Sequence, residues 1–97
     1  MPKTRPLTSD EKFERRKVLR ARAEAGDLQL PDAIKEIRQA LGMTQAVFAE
    51  KFGLTRLQVI ALEKGKANPT LETLAKIGRP FGFVPGFVYG GKKSGQA

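Results

Sequence analysis

The feature that most narrows the folds open to this chain is a pair of short helical patterns across residues 44–65, "TQAVFAEKFGLTRLQVIALEKG". The first, "TQAVFAEKFG", sets Phe48, Ala49 and Phe52 on one face, behind Thr44 as N-cap and ahead of Gly53. In the second, "TRLQVIALEKG", Thr55 and Gln58 have capping-box spacing and Gly65 closes the segment. Only "GLT" separates them, and Gly53 can take the positive φ that so sharp a turn demands. Small Ala49 lets the second helix approach closely, and that helix needs only Leu54, Val59 and Leu62 to pack back. Arg56, Leu57, Ile60 and Ala61 are then unclaimed by the core.

Further helices surround this pair. "TSDEKFERRKVLRARAEAG" has Thr8 three residues ahead of Glu11, acidic Asp10 and Glu11 in the first turn, and Gly26 at the stop. Its apolar stripe of Phe13, Val18, Leu19 and a few alanines is thin, and Arg15, Arg16, Lys17, Arg20 and Arg22 surround it. Such a helix must lie against the core, a partner chain or a polyanion, or present a solvated charged face. "PDAIKEIRQALG" repeats Ile34, Ile37 and Leu41 at helical spacing between Pro31 and Gly42. After the break at "NPT", "LETLAKIG" places Leu71, Leu74 and Ile77 likewise, with Gly78 and Pro80 as stops.

The end differs in kind. In "FGFVPGFVY", residues 81–89, Phe81, Phe83, Pro85, Phe87 and Tyr89 alternate with Gly82, Val84, Gly86 and Val88. Period two predicts an extended strand with an aromatic face, and Pro85 restricts it to an edge. Four of the seven aromatic residues fall here, so the segment is expected to be covered. A strand across a homodimer, with Phe81, Phe83, Phe87 and Tyr89 at the seam, is the expectation; a coil folded back over the chain's own core is the alternative. The predicted organisation is a basic arm and helix over 1–30, a compact unit over 31–79, the aromatic segment over 80–91 and a disordered basic tail over 92–97.

Composition narrows the function. Eighteen Lys and Arg against ten Asp and Glu give a net charge of +8 in 97 residues. A small domain this basic suits a polyanion, because lysines and arginines near phosphates release condensed counterions. Solubility alone or an acidic membrane surface would also use such charge. Cysteine and histidine are absent, which removes thiolate metal sites and the commonest general base. The only two serines, Ser9 and Ser94, lie near the ends. The expectation is a cytoplasmic protein that is not an enzyme, without metal or cofactor. No apolar run of about 18 residues suggests a membrane span. On so basic a chain, two helices joined by a glycine-containing turn form the helix-turn-helix arrangement.

The stretch "IKEIRQALGMTQAVFAEKFGLTRLQVIALEKGKANPTLETLAKI" resembles the Cro/C1-type helix-turn-helix domain of phage repressors, bacterial XRE-type regulators and many antitoxins. The marks are Arg38, Gln45, Phe48-Ala49, Gly53, Thr55, Glu63, Gly65 and Pro69, in order and at the right spacing. The resemblance implies an all-α, lambda-repressor-like bundle of about five helices that binds double-stranded DNA. It implies that Thr44 and Gln45 approach a phosphate at a helix N-terminus. Thr55, Arg56, Leu57, Gln58 and Ala61 would lie on the recognition helix, residues 55–64. There Arg56 is suited to a two-pronged bond with guanine, and Leu57 and Ala61 to thymine methyls. Gln58 would divide its amide between adenine and its cap. Lys64, Lys66 and Asn68 would hold the backbone, and Arg38 and Glu63 would form an ion pair in the core. Ile60 departs from the family, which usually has a polar residue there.

Two functions follow as expectations. One is a dimeric repressor reading an inverted repeat; the other is an antitoxin of the HipB kind that neutralises a cognate toxin and regulates its own operon. RNA binding would instead need the aromatics of 81–89 exposed for stacking.

Overall fold

The structure, a computed structural model, describes residues 7–89. The start of the predicted arm and the 92–97 tail lie outside the described residues. Five helices follow one another: α1 (Ser9–Glu24), α2 (Asp32–Ala40), α3 (Gln45–Phe52), α4 (Arg56–Glu63) and α5 (Leu71–Gly78), the last running into a 3-10 turn over Arg79–Phe81.

Three of the starts lie at the caps the sequence marks, Thr8, Thr44 and Thr55. Thr8, Thr44, Thr55 and Thr70 each turn a hydroxyl oxygen onto a backbone N–H of the first helical turn. At α1 and α4 the reciprocal bond is also made, from the backbone N–H of Thr8 to Glu11 and of Thr55 to Gln58, completing both capping boxes. Helix α2 begins differently, with Pro31 at its N-cap and no side-chain cap.

Helices α2 to α5 converge on Ile34, Phe48, Val59 and Ile77, which are fully enclosed. Around them pack Ile37, Ala40, Ala49, Phe52 and Leu62, and the Phe48 and Phe52 rings meet at 4.6 Å between centroids. The two helices of the central pair, α3 and α4, make the most extensive contact. Helix α1 lies outside this group against α2 and contributes one buried side chain, Leu19. Its other expected stripe residues, Phe13 and Val18, are exposed, as is Leu71 at the first position of α5.

Residues 81–89 correct an expectation. Among the described residues there is no strand. The backbone N–H of Phe83 donates to the carbonyl of Gly78 at 3.0 Å, and Gly82 turns the chain with φ 77°. That turn stacks the rings of Phe81 and Phe83, 5.2 Å between centroids, and lays them half-buried against the core. The close approach needs Gly78: a Cβ there would stand 2.7 Å from the Phe83 carbonyl oxygen. The chain then runs back toward the end of α1, bringing Val88 beside Gly26. The turn satisfies the Gly82 and Phe83 N–H groups locally and lays two half-buried rings against the chain's own core, so the expected strand, and with it the strand-paired seam, finds no support among the described residues. Alternation survives only as far as Phe81, Phe83 and Pro85; Phe87 and Tyr89 are exposed.

Candidate nucleic-acid interface

The turn between α3 and α4 sets the geometry. Gly53 ends α3 in the left-handed region with φ 71°, and the Leu54 N–H reaches back to the Ala49 carbonyl at 2.8 Å. A side chain at Gly53 would add strain that glycine avoids. Lys76 of α5 donates to the Phe52 carbonyl at 3.3 Å and steadies the same helix end. The chain re-enters helix at Thr55 within two residues, which fixes the crossing of α4 over α3.

Helix α4 divides by face. Val59 and Leu62 are buried against the core. Arg56, Leu57 and Gln58 face solvent in its first turn, with Leu57 75% exposed. Ala61 is half-buried, so less of it is available than of Leu57. The Thr55 N–H bonds Gln58 Oε1 at 2.7 Å, and the Gln58 N–H bonds Thr55 Oγ1 at 3.0 Å. With its amide oxygen in the cap, Gln58 has its NH2 left to donate. Two-pronged recognition of adenine requires both ends of the amide. Lys64, Lys66 and Asn68 follow in exposed positions past the helix end.

Behind this face lies the ion pair. Arg38 Nε donates to Glu63 Oε2 at 2.6 Å and Arg38 Nη2 to Oε1 at 3.2 Å, a two-pronged arrangement. Arg38 Nη1 also donates to the Met43 carbonyl at 3.0 Å, tying α2 to the turn before α3. Only 12% of the Arg38 and 6% of the Glu63 side chain meets solvent. Gln45 joins the network, its Nε2 donating to Glu63 Oε1 at 3.2 Å. The first residue of α3 is therefore locked to the last residue of α4, with one amide hydrogen left over. The cleft over this network is lined by Ile60 together with Lys35, Gln45 and Lys64. Ile60, three residues before Glu63 on the same face, is half-buried and lines the cleft beside the pair.

The structure thus brings Arg56, Leu57 and Gln58 together at one end of α4, and Gln45, Arg38 and Glu63 at the other. Thr44 and Thr55 cap α3 and α4. The sequence reading missed the Gln45–Glu63 bond and the place of Ile60 beside the pair. Their signal was the spacing of Ile60 and Glu63 on one helix.

A Helix-turn-helix family model matches residues 34–86, more than half of the chain. The chain belongs to the XRE-type helix-turn-helix family. Several archaeal proteins are similar to this helix-turn-helix chain. One from Methanothermobacter thermautotrophicus is 47% identical over 49 residues, covering 50% of this chain and 71% of the relative. One from Archaeoglobus fulgidus is 48% identical over 48 residues, covering 50% and 69%. One from Methanocaldococcus jannaschii is 38% identical over 53 residues, covering 55% and 80%. Each bears the name of an uncharacterized HTH-type transcriptional regulator. No solved structure matches the chain. The matched region begins inside α2, so α1 lies outside it.

Proposed function

We propose that this helix-turn-helix chain is a sequence-specific DNA-binding transcriptional regulator, a repressor that reads an inverted repeat as a dimer. The observation that carries the reading is the division of α4: Val59 and Leu62 hold its back to the core while Arg56, Leu57 and Gln58 are held outward by a completed capping box. The names of the relatives agree with it. Arg56 donates to guanine O6 and N7, Leu57 contacts a thymine methyl, and the free NH2 of Gln58 donates to a base-edge acceptor. Thr44, Gln45, Lys64, Lys66 and Asn68 hold the phosphate backbone. A single short helix with one guanidinium on its reading face distinguishes few base pairs. Two copies on half-sites one helical turn apart, about 34 Å, double the information. The exposed apolar side chains of Val84, Phe87 and Tyr89 are surface that a second copy would cover.

A gel shift on the DNA upstream of its own gene tests the reading. Arg56→Ala is expected to lose about 1–3 kcal/mol of discrimination at one base pair per half-site, whereas Lys66→Ala weakens all sequences alike. An Arg56→Ala variant with intact preference would show that the reading face is misassigned. Sedimentation of Phe87→Ser/Tyr89→Ser against the parent tests the dimer, which the double variant should dissociate.

A further inference from the structure

We propose that Lys12 and Arg15 of α1, with Lys35 of α2, form a phosphate-binding strip that carries duplex DNA beyond the helix-turn-helix unit; the proposal rests on the DNA-binding reading above. The start of α1 lies against the turn that leads into α3. A Cβ on Gly42 would stand 3.4 Å from Leu7 Cδ1 and 3.6 Å from Lys12 Cε. Arg15 lines a cleft with Arg38, Gly42, Met43 and Thr44, and its Nη1 donates to the Gln39 carbonyl at 3.2 Å, leaving its other N–H groups to donate elsewhere. Across Arg38, a second cleft is lined by Lys35, Gln45, Ile60 and Lys64. The two clefts share Arg38, so the strip is continuous with Gln45 and Lys64, which the DNA-binding reading assigns to the backbone.

Charge pairing separates this end of α1 from the other. Lys17 pairs with Glu14, Arg20 with Glu24 and Arg22 with Glu36. Arg16 turns toward the opposite side, over the Phe81 ring at 5.1 Å. Among the described residues, Lys12, Arg15, Lys35 and Lys64 have no carboxylate partner. Glu63, the acid lining the second cleft, is already engaged by Arg38 and Gln45. Unpaired cations beside an already satisfied acid leave a positive field along this edge, and a row of phosphates complements it. The strip carries no base-reading geometry, so it adds affinity without preference.

Fluorescence anisotropy of the full chain with a duplex, across a salt series, tests the strip. Each phosphate contact steepens the fall of log K with log salt by about 0.9, so Lys12→Ala/Arg15→Ala/Lys35→Ala should be shallower by about 2.7 per bound copy (about 5.4 for a dimer), and the parent's loss of affinity between 50 and 200 mM should exceed the variant's by about 40-fold per bound copy. The ratio of specific to random duplex affinity should not change, and the charge-preserving Lys12→Arg/Arg15→Lys/Lys35→Arg should restore the slope. Lys17→Ala/Arg20→Ala, from the paired end of α1, should leave the slope at the parent's value. A parent that binds duplex, with the same slope in the triple variant, overturns the strip alone. An equal loss per charge in the control overturns it too, since the effect would then be general. A parent without salt-dependent duplex binding overturns the DNA-binding reading and the strip with it.

Discussion

At Glu63 a single carboxylate, almost out of water, accepts from both the Arg38 guanidinium and the Gln45 amide. Removing the acid would leave the Arg38 guanidinium, only 12% exposed, without its counter-charge, and that uncompensated charge dominates the cost. Glu63→Ala should lose about 3–5 kcal/mol in a urea melt, well above the roughly 1 kcal/mol of an ordinary exposed pair. A loss under about 1 kcal/mol would show that solvent reaches Arg38 more freely than its exposure indicates. Glu63→Gln keeps the volume and one acceptor, so its loss should be smaller. The pair was legible as two residues at a known spacing. Gln45 as its third member was not, because an amide at a helix start serves a phosphate and a carboxylate equally well. Ile60 was unexplained for a related reason: periodicity says which face a residue occupies, not which neighbour lies opposite. Lys35 carried no pattern at all, since one lysine on a solvated face resembles any other.

At the scale of elements, the starts of α3 to α5 were readable because each is marked by chemistry local to the chain. Threonines supply oxygen to orphan N–H groups, and glycine ends α3 where the backbone turns left-handed. The Thr55–Gln58 box has a functional consequence, because it fixes where α4 begins and hence where Arg56 points. Thr55→Ala should cost about 0.5–2 kcal/mol of stability by thermal melt. It should also free the Gln58 amide oxygen, so selection of binding sites from a random pool should shift toward adenine opposite Gln58. An unchanged consensus would mean that Gln58 lies away from the base edges. Residues 81–89 show the opposite case. Their alternation correctly placed Phe81, Phe83 and Pro85 on one side, but it could not say what would cover that side. The deciding contact, Phe83 on the bare backbone of Gly78, spans only five residues and depends on the missing side chain of Gly78, which alternation does not report.

The whole molecule is a four-helix core with a fifth helix leaning on it. Helices α2 to α5 share the enclosed cluster of Ile34, Phe48, Val59 and Ile77, whereas α1 contributes Leu19, the Arg15 bond to Gln39, Arg16 on Pro80 and the Phe81 ring, and the Arg22–Glu36 pair. Full burial of one leucine is worth about 1.5–3 kcal/mol. These polar contacts, partly or fully exposed, add little to that. At 16 residues α1 is only just longer than the roughly 12–15 residues below which an isolated helix is marginal in water. Docking therefore holds α1 in place by less free energy than holds the core together. Helix α1 should open as a unit while α2 to α5 stay folded. Native-state hydrogen exchange checks this. Amides in the last two turns of α1 should exchange with an opening free energy of only a few kcal/mol, and those of Phe48 and Val59 near the global value. Leu19→Ala should lower the first and leave the second nearly unmoved. Equal protection in α1 and α3 would instead make the five helices one cooperative unit. If α1 does open separately, duplex DNA spanning the Lys12–Arg15 strip should slow its exchange selectively, because a ligand that binds only the docked helix stabilises that state by mass action.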